Sequence, residues 1–156
     1  ERVANLLAEA LAASVLLAST LKFEGSLILQ ASGRGPLETL MVECNHRHEL
    51  RGIAQLSESW TDESAFLSLP ELFRDGQLAI TIDPDNGQRY QGIVPLSSST
   101  LAECLEHYFE QSEQLPTRLW LAAEAGNAAG LLLQVLPGHD KEEDADIWPR
   151  LCQLSD

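Results

Sequence analysis

Cys44, His46 and His48 stand at alternate positions in the run "ECNHRH". On a regular strand that alternation would put all three on one face. Three soft or borderline ligands gathered there could hold zinc or copper, or a thiolate–imidazole pair could act as a nucleophile. A second candidate pair, Cys104 and His107, lies in "TLAECLEHYFEQSEQLPTRLWL". Three residues apart on a helix they would be neighbours, although a metal would need two further ligands from elsewhere.

Each cluster also has a plainer reading. Asn45 and the polar residues around it favour a turn, which would scatter Cys44, His46 and His48, and no carboxylate stands at a spacing that would orient the imidazoles. On the helix, Leu101, Leu105, Tyr108 and Ser112 share one face at about 100° per residue, with Phe109 beside it. Cys104 falls at the edge of that face and packs as a small hydrophobe, while His107 points to solvent. Packing and solvation are therefore the expected roles, no catalytic residue or metal is expected, and a thiol or metal enzyme on Cys44, His46 and His48 is the lesser alternative. The remaining motifs are weaker. "SSS" at 97–99 lacks the G-x-S-x-G setting of a nucleophile. "GRGP" has no lysine and no following helix, so it is not a phosphate loop. "DKEED" lacks EF-hand spacing.

The elements that would position these residues follow from apolar periodicity and turn chemistry. Residues 3–21 are apolar on most sides, which predicts an Ala-rich helix covered on more than one face. Asn5 and Glu9 interrupt the run, which opens inside a helical pattern without an initiator Met and reads as neither a signal peptide nor a membrane span. "SLILQAS" and "LETLMVE" flank "GRGP" as an antiparallel hairpin, "ELRGIAQL" is a further strand, and 57–68 has no firm element. "LPELF" forms a helical turn. "GQLAITIDPDNGQRYQGIVPL" is the clearest hairpin. Thr100 and Glu103 have capping-box spacing, so a helix begins near Leu101 and ends at Pro116. "TRLWLAA" and "AAGLLLQVL" form another strand pair. From Pro137 an acidic linker, "PGHDKEEDAD", leads to "IWPRLCQL". The expected fold is one α+β domain over 1–136, with antiparallel strand pairs packed against two main helices, and 137–156 begins a linker.

Bulk properties exclude several classes. The formal charge is −14, from 24 acidic against 10 basic residues, so neither nucleic acid nor an anionic membrane is an expected partner. The 3 cysteines, Cys44, Cys104 and Cys152, are odd in number and far apart. That is no disulfide framework, and it points to a reducing compartment.

Four stretches, "LAASVLLASTLKFEGSLILQ", "GQRYQGIVPL", "TLAECLEHYFEQSEQLPTRLWL" and "GLLLQVLP", occur in this order. In that order they resemble the bacterial 33 kDa chaperonin family, the redox-regulated heat-shock holdases, from residue 6 to about 137. "LKFEG" and "YFEQSEQLPTRLWL" are long and unusual enough to make the resemblance specific, and it thins over 57–73. It implies a cytoplasmic, ATP-independent chaperone that binds unfolding or oxidatively damaged proteins and keeps them from aggregating under stress. The family's switch is a C-terminal zinc domain with a C-x-C and a C-x-x-C. Neither pair occurs here, so the expectation is the client-binding core alone, with the zinc domain absent and no cofactor. The apolar face expected to meet unfolded clients carries Leu119, Leu121, Leu131, Leu132 and Leu133. A homodimer, with helices or strands exchanged between protomers, is expected from so apolar a helix at residues 3–21. The alternative in another class is an assembly module with one specific partner.

Overall fold

The structure, a computed structural model, describes residues 1–22, 24–136 and 147–155. It opens with α1 (Arg2–Thr20), then β1 (Gly25–Ser32), β2 (Leu37–Asn45) and β3 (Leu50–Leu56). A 3-10 turn (Asp62–Phe66), where the sequence carries no clear signal, leads into α2 (Leu69–Phe73). The chain continues through β4 (Gln77–Pro84), β5 (Tyr90–Pro95), α3 (Leu101–Tyr108), β6 (Thr117–Glu124), β7 (Asn127–Gln134) and α4 (Ile147–Ser155). The expected acidic linker at 137–146 lies outside the described residues.

Five strands form one antiparallel sheet in the order β3-β2-β1-β4-β5, and β6 and β7 form a separate hairpin. The α+β class and the strand pairs expected from the sequence are present. What joins two of those pairs into one sheet is the pairing of β1 with β4, in register from Gly25↔Pro84 to Ser32↔Gln77. α1 and α3 form the middle layer, with the large sheet on one side and the hairpin on the other.

Register across the sheet explains how the helices seat. One inward row runs Gly52, Val42, Leu29, Ile80, Gly92. Its centre is buried, and its two ends are glycines on the edge strands. A Cβ on Gly52 would lie 3.1 Å from Leu7 Cδ1 of α1, and one on Gly92 would lie 2.3 Å from Tyr108 Cε2 of α3. Each helix thus lies on a glycine at one edge of the sheet. The rows above and below, including Cys44–Leu27–Ile82 and Leu40–Ala31–Leu78, fill the core between.

Burial along α1 falls on Leu6, Ala10, Ala13, Ser14 and Leu17. By length and composition alone α1 could cross a membrane, but here that stripe packs between the two sheets. The Ser14 hydroxyl is satisfied within the helix, donating to the Leu11 carbonyl at 2.8 Å.

The capping signal of α3 is present, and α2 carries a second cap of the same kind. Thr100 Oγ1 accepts the Glu103 N–H at 3.2 Å, and Glu103 Oε2 accepts the Ser99 N–H at 2.9 Å and the Thr100 N–H at 3.3 Å. At α2 the Glu71 carboxylate accepts from the Ser68 hydroxyl at 2.6 Å and the Ser68 N–H at 2.8 Å. These bonds hold the Glu71 carboxyl below its usual range. A depressed folded-state value means that the cap stabilises α2 above the ordinary carboxyl value of 4.5 and is lost as pH falls through the folded value. Glu71→Gln is accordingly expected to reduce the acid-side loss of helicity at residues 69–73, read by amide exchange as pH is lowered from neutral to well below 4.5.

Two expectations need correction. The helix from Leu101 does not run to Pro116. α3 ends at Tyr108, and Phe109–Glu113 form a π turn closed by Gln114 in the left-handed region at φ 55°. Leu115 precedes proline and is disfavoured in helical geometry. The N–H groups of Gln114 and Leu115 instead converge on the Phe109 carbonyl. The wider turn rotates Ser112 off the buried face and leaves it exposed, whereas Cys104, placed at the edge by helical spacing, is buried among Leu101, Leu105 and Tyr108.

Candidate functional site

The reactive side chains do not converge. Cys44, on β2, faces the core and is fully buried, and burial raises its thiol pKa. β2 stops at Asn45, whose side-chain oxygen accepts the N–H groups of Arg47 (2.9 Å) and Glu49 (3.0 Å) and so closes a tight turn. His46 and His48 lie in that turn and are exposed. The ring of His46 is occupied, its Nδ1 accepting the Gly25 N–H at 3.2 Å. His107 is exposed and shares a 3.1 Å hydrogen bond with the Ser98 hydroxyl, while Cys104 points inward. Among the described residues no group of three His, Cys, Asp or Glu is placed to hold a metal.

Replacing these residues should therefore affect packing. Cys44→Ser is expected to cost about 1–3 kcal/mol, because it buries a hydroxyl in an apolar row. His48→Asn should be neutral within about 0.5 kcal/mol, because Asn accepts the φ of 59° found there. Urea melts of the two variants check both values.

The structure divides the expected client-binding leucines between two faces of the β6–β7 hairpin. Leu119 pairs with Leu132 and Leu121 with Gly130, so Leu119, Leu121 and Leu132 point inward. Leu119 is 4% exposed, and Leu121 and Leu132 pack at the margin of the core. Leu131 and Leu133 pair with Trp120 and Arg118 on the outward face. Leu131 is 45% exposed there, and the Arg118 guanidinium lies 5.4 Å from the centre of the Trp120 ring. Beside this face, Ala8, Leu11, Ala12 and Leu16 of α1, Ala129 of β7 and Leu50 of β3 line an open apolar groove of about 470 Å³.

A second apolar surface was not anticipated from the sequence. On the sheet face turned away from α1, register places Ile53, Met41, Gln30, Ala79 and Ile93 in one row. Ile53 is 57% and Ile93 55% exposed. The signal is present in "RGIA" and "QGIV". In each edge strand the inward position is glycine and the outward one isoleucine, the reverse of ordinary alternation. The neighbouring row, Arg51, Glu43, Ile28, Thr81 and Gln91, is polar except at its centre. Burial disfavours the Glu43 carboxylate, but hydrogen bonds from Arg51 and Ser26 and the charge of Arg51 outweigh it and lower its pKa.

The named thiols and imidazoles are thus dispersed, and two apolar faces are exposed. The model of the Hsp33 protein family matches residues 1–155, and the chain belongs to that family. Its relatives include the 33 kDa chaperonin of Ectopseudomonas mendocina, 52% identical over 157 residues that cover 99% of this chain and 52% of the relative. Another, the 33 kDa chaperonin of Azotobacter vinelandii, is 51% identical, covering 100% of this chain and 53% of the relative. The chain thus spans about half the length of the curated relatives it matches. The fold is similar to the crystal structure of the 33 kDa chaperonin (heat shock protein 33 homolog) of Thermotoga maritima. The TM-score is 0.75 at 20% identity, over 96% of this chain and 54% of that one.

Proposed function

We propose that these residues form the client-binding core of a chaperone that holds unfolding or oxidatively damaged proteins without ATP and prevents their aggregation. The carrying observation is the exposure of Ile53, Ile93 and Leu131, with half-buried Trp120 beside Leu131, on two faces of a chain with a formal charge of −14. Apolar area of this kind binds exposed segments of other chains without regard to their sequence. The net charge keeps the protein and its complexes in solution. Family membership supports the same reading, since the curated relatives are named chaperonins. On this proposal residues 1–136 are the core, the partners are unfolded proteins, and the setting is the bacterial cytoplasm.

The test is light scattering of a heat-unfolding client at fixed chaperone concentration. Replacing Ile53 and Ile93 together by Ser should raise the amount needed for half-protection by about fivefold or more, since each lost apolar contact contributes on the order of 1 kcal/mol. Unchanged protection by that variant and by Trp120→Ser with Leu131→Ser would refute the two faces as client surfaces.

Regulation follows from composition. The 156 residues contain no C-x-C or C-x-x-C pair, and Cys44 and Cys104 are buried. Protection by these residues is therefore expected to be equal in reductant and in peroxide, and protection seen only after oxidation would assign a switch to one of the three thiols. A homodimer is also proposed. In α4, Ile147, Leu151 and Leu154 are exposed along one side, and a second copy could cover them. Sedimentation at micromolar concentration should show a dimer that Leu151→Asp with Leu154→Asp dissociates.

A further inference from the structure

α3 touches both sheets through nearly adjacent side chains. Towards the large sheet, the Tyr108 ring lies on Gly92 of β5. Towards the hairpin, Glu106 Oε1 accepts the Leu119 N–H at 2.7 Å, and Oε2 accepts from Arg118 Nη1 at 3.4 Å. The chain that leads from α3 into β6 is strained. Five residues run as a π turn, a rare form that is frequent at functional sites, and Gln114 is left-handed without being glycine.

A single side-chain cluster closes this turn. Tyr108 Oη donates to Glu113 Oε1 at 2.8 Å, and Tyr90 Oη, from β5, donates to the same oxygen at 3.3 Å. The two hydroxyls are themselves 3.3 Å apart. Tyr108 is buried, whereas Tyr90 and Glu113 are exposed, so water can compete for the cluster from one side. We propose that Tyr90, Tyr108 and Glu113 form a latch that holds the π turn shut, and that its release lets the β6–β7 hairpin come away from α1 and α3 as a unit.

The hairpin is suited to such local opening. Two strands are not stable alone, and its inner residues Leu119, Leu121 and Leu132 are held by packing against the middle layer. Opening uncovers those three side chains together with Leu16 of α1, which now lies against Gly130. On the reading of these leucines as client-binding, the latch sets how much of that surface is available.

Amide exchange on the full chain tests the latch independently of any client. Glu113→Ala should speed exchange at Leu119, Leu121 and Leu132 by about tenfold or more, the effect of losing hydrogen bonds to a charged acceptor. Leu29, Val42 and Ile80, at the centre of the large sheet, should stay within a factor of about two. Glu113→Gln, which keeps an acceptor, should restore part of the protection, and Glu110→Gln in the same turn should leave exchange unchanged. Uniform acceleration in both sheets, or none in the hairpin, would overturn the latch. Client scattering on Glu113→Ala then separates the two claims. Greater protection per mole supports both, and faster hairpin exchange with unchanged protection upholds the latch while refuting the inner leucines as client surface.

Discussion

Gly33→Ala is expected to abolish the cooperative thermal transition of this protein. The added Cβ would lie 1.8 Å from the Phe73 carbonyl oxygen and 2.6 Å from its carbon. Both are backbone atoms, so no side-chain rotation relieves the overlap. The turn between β1 and β2 is held against the end of α2 by that same oxygen, which accepts the N–H groups of Arg34 at 2.7 Å and Gly35 at 2.9 Å. Moving the turn away would break both bonds and unseat Leu72 and Phe73, which are 0% and 1% exposed. The expected cost exceeds about 4 kcal/mol, a large part of the 5–15 kcal/mol that holds a domain of this size. Arg34→Ala in the same turn loses no backbone bond and should change stability by no more than about 0.5 kcal/mol. Calorimetry of the two variants decides the matter. A Gly33→Ala protein that melts like the parent would show that the turn does not rest on α2.

Tyr108→Ala should destabilise by about 3–5 kcal/mol, the range for emptying a large aromatic site. The ring fills the space above Gly92 and meets Phe109 edge-on at 5.3 Å. Tyr108→Phe keeps those contacts and removes only the hydroxyl, so about 1.5–3 kcal/mol is expected from the bond to the Glu113 carboxylate. The pair of variants separates packing from hydrogen bonding in denaturant melts, and equal losses would show that the ring contributes little. An alkaline signature accompanies the hydroxyl. Burial first, then the hydrogen bonds to Tyr90 and Glu113, push the Tyr108 phenol well above its ordinary 10.0. With the folded-state value raised, this group's contribution is fully present below pH 10.0 and is lost as pH rises towards the folded value. Tyr108→Phe should remove that part of the alkaline decline, and an unchanged alkaline limb would contradict the assignment.

Local chemistry was legible wherever one short stretch carries its own signal. The capping box at Thr100 and Glu103, the "PDNG" hairpin turn and the alternation at Leu78, Ile80 and Ile82 each express backbone preferences within a few residues, and all are present in the structure. So was the turn at Asn45, which leaves His46 and His48 exposed while Cys44 is buried. The stretches that carry the resemblance to the 33 kDa chaperonins are likewise local, and the family match over residues 1–155 agrees with them.

What sequence alone determined is most of the strands, the starts of the main helices and the family, because propensity, caps and turn residues act at short range. Only the tertiary structure decided which faces those elements show. Leu119 and Leu131 belong to one apolar hairpin, yet pairing with Leu132 and Trp120 sends one into the core and the other to solvent. The run that ends in "SEQLPTRLWL" reads as helix up to its proline, yet the helix gives way to a π turn at Phe109–Glu113, where Glu113 meets Tyr108 and Tyr90 of β5. Gly52 and Gly92 carry no mark of their own in the sequence, yet they are where α1 and α3 seat, which turns Ile53 and Ile93 outward. In each case the deciding contact joins residues distant in sequence or on separate elements. Such contacts depend on register and helix placement, which no window of a few residues contains.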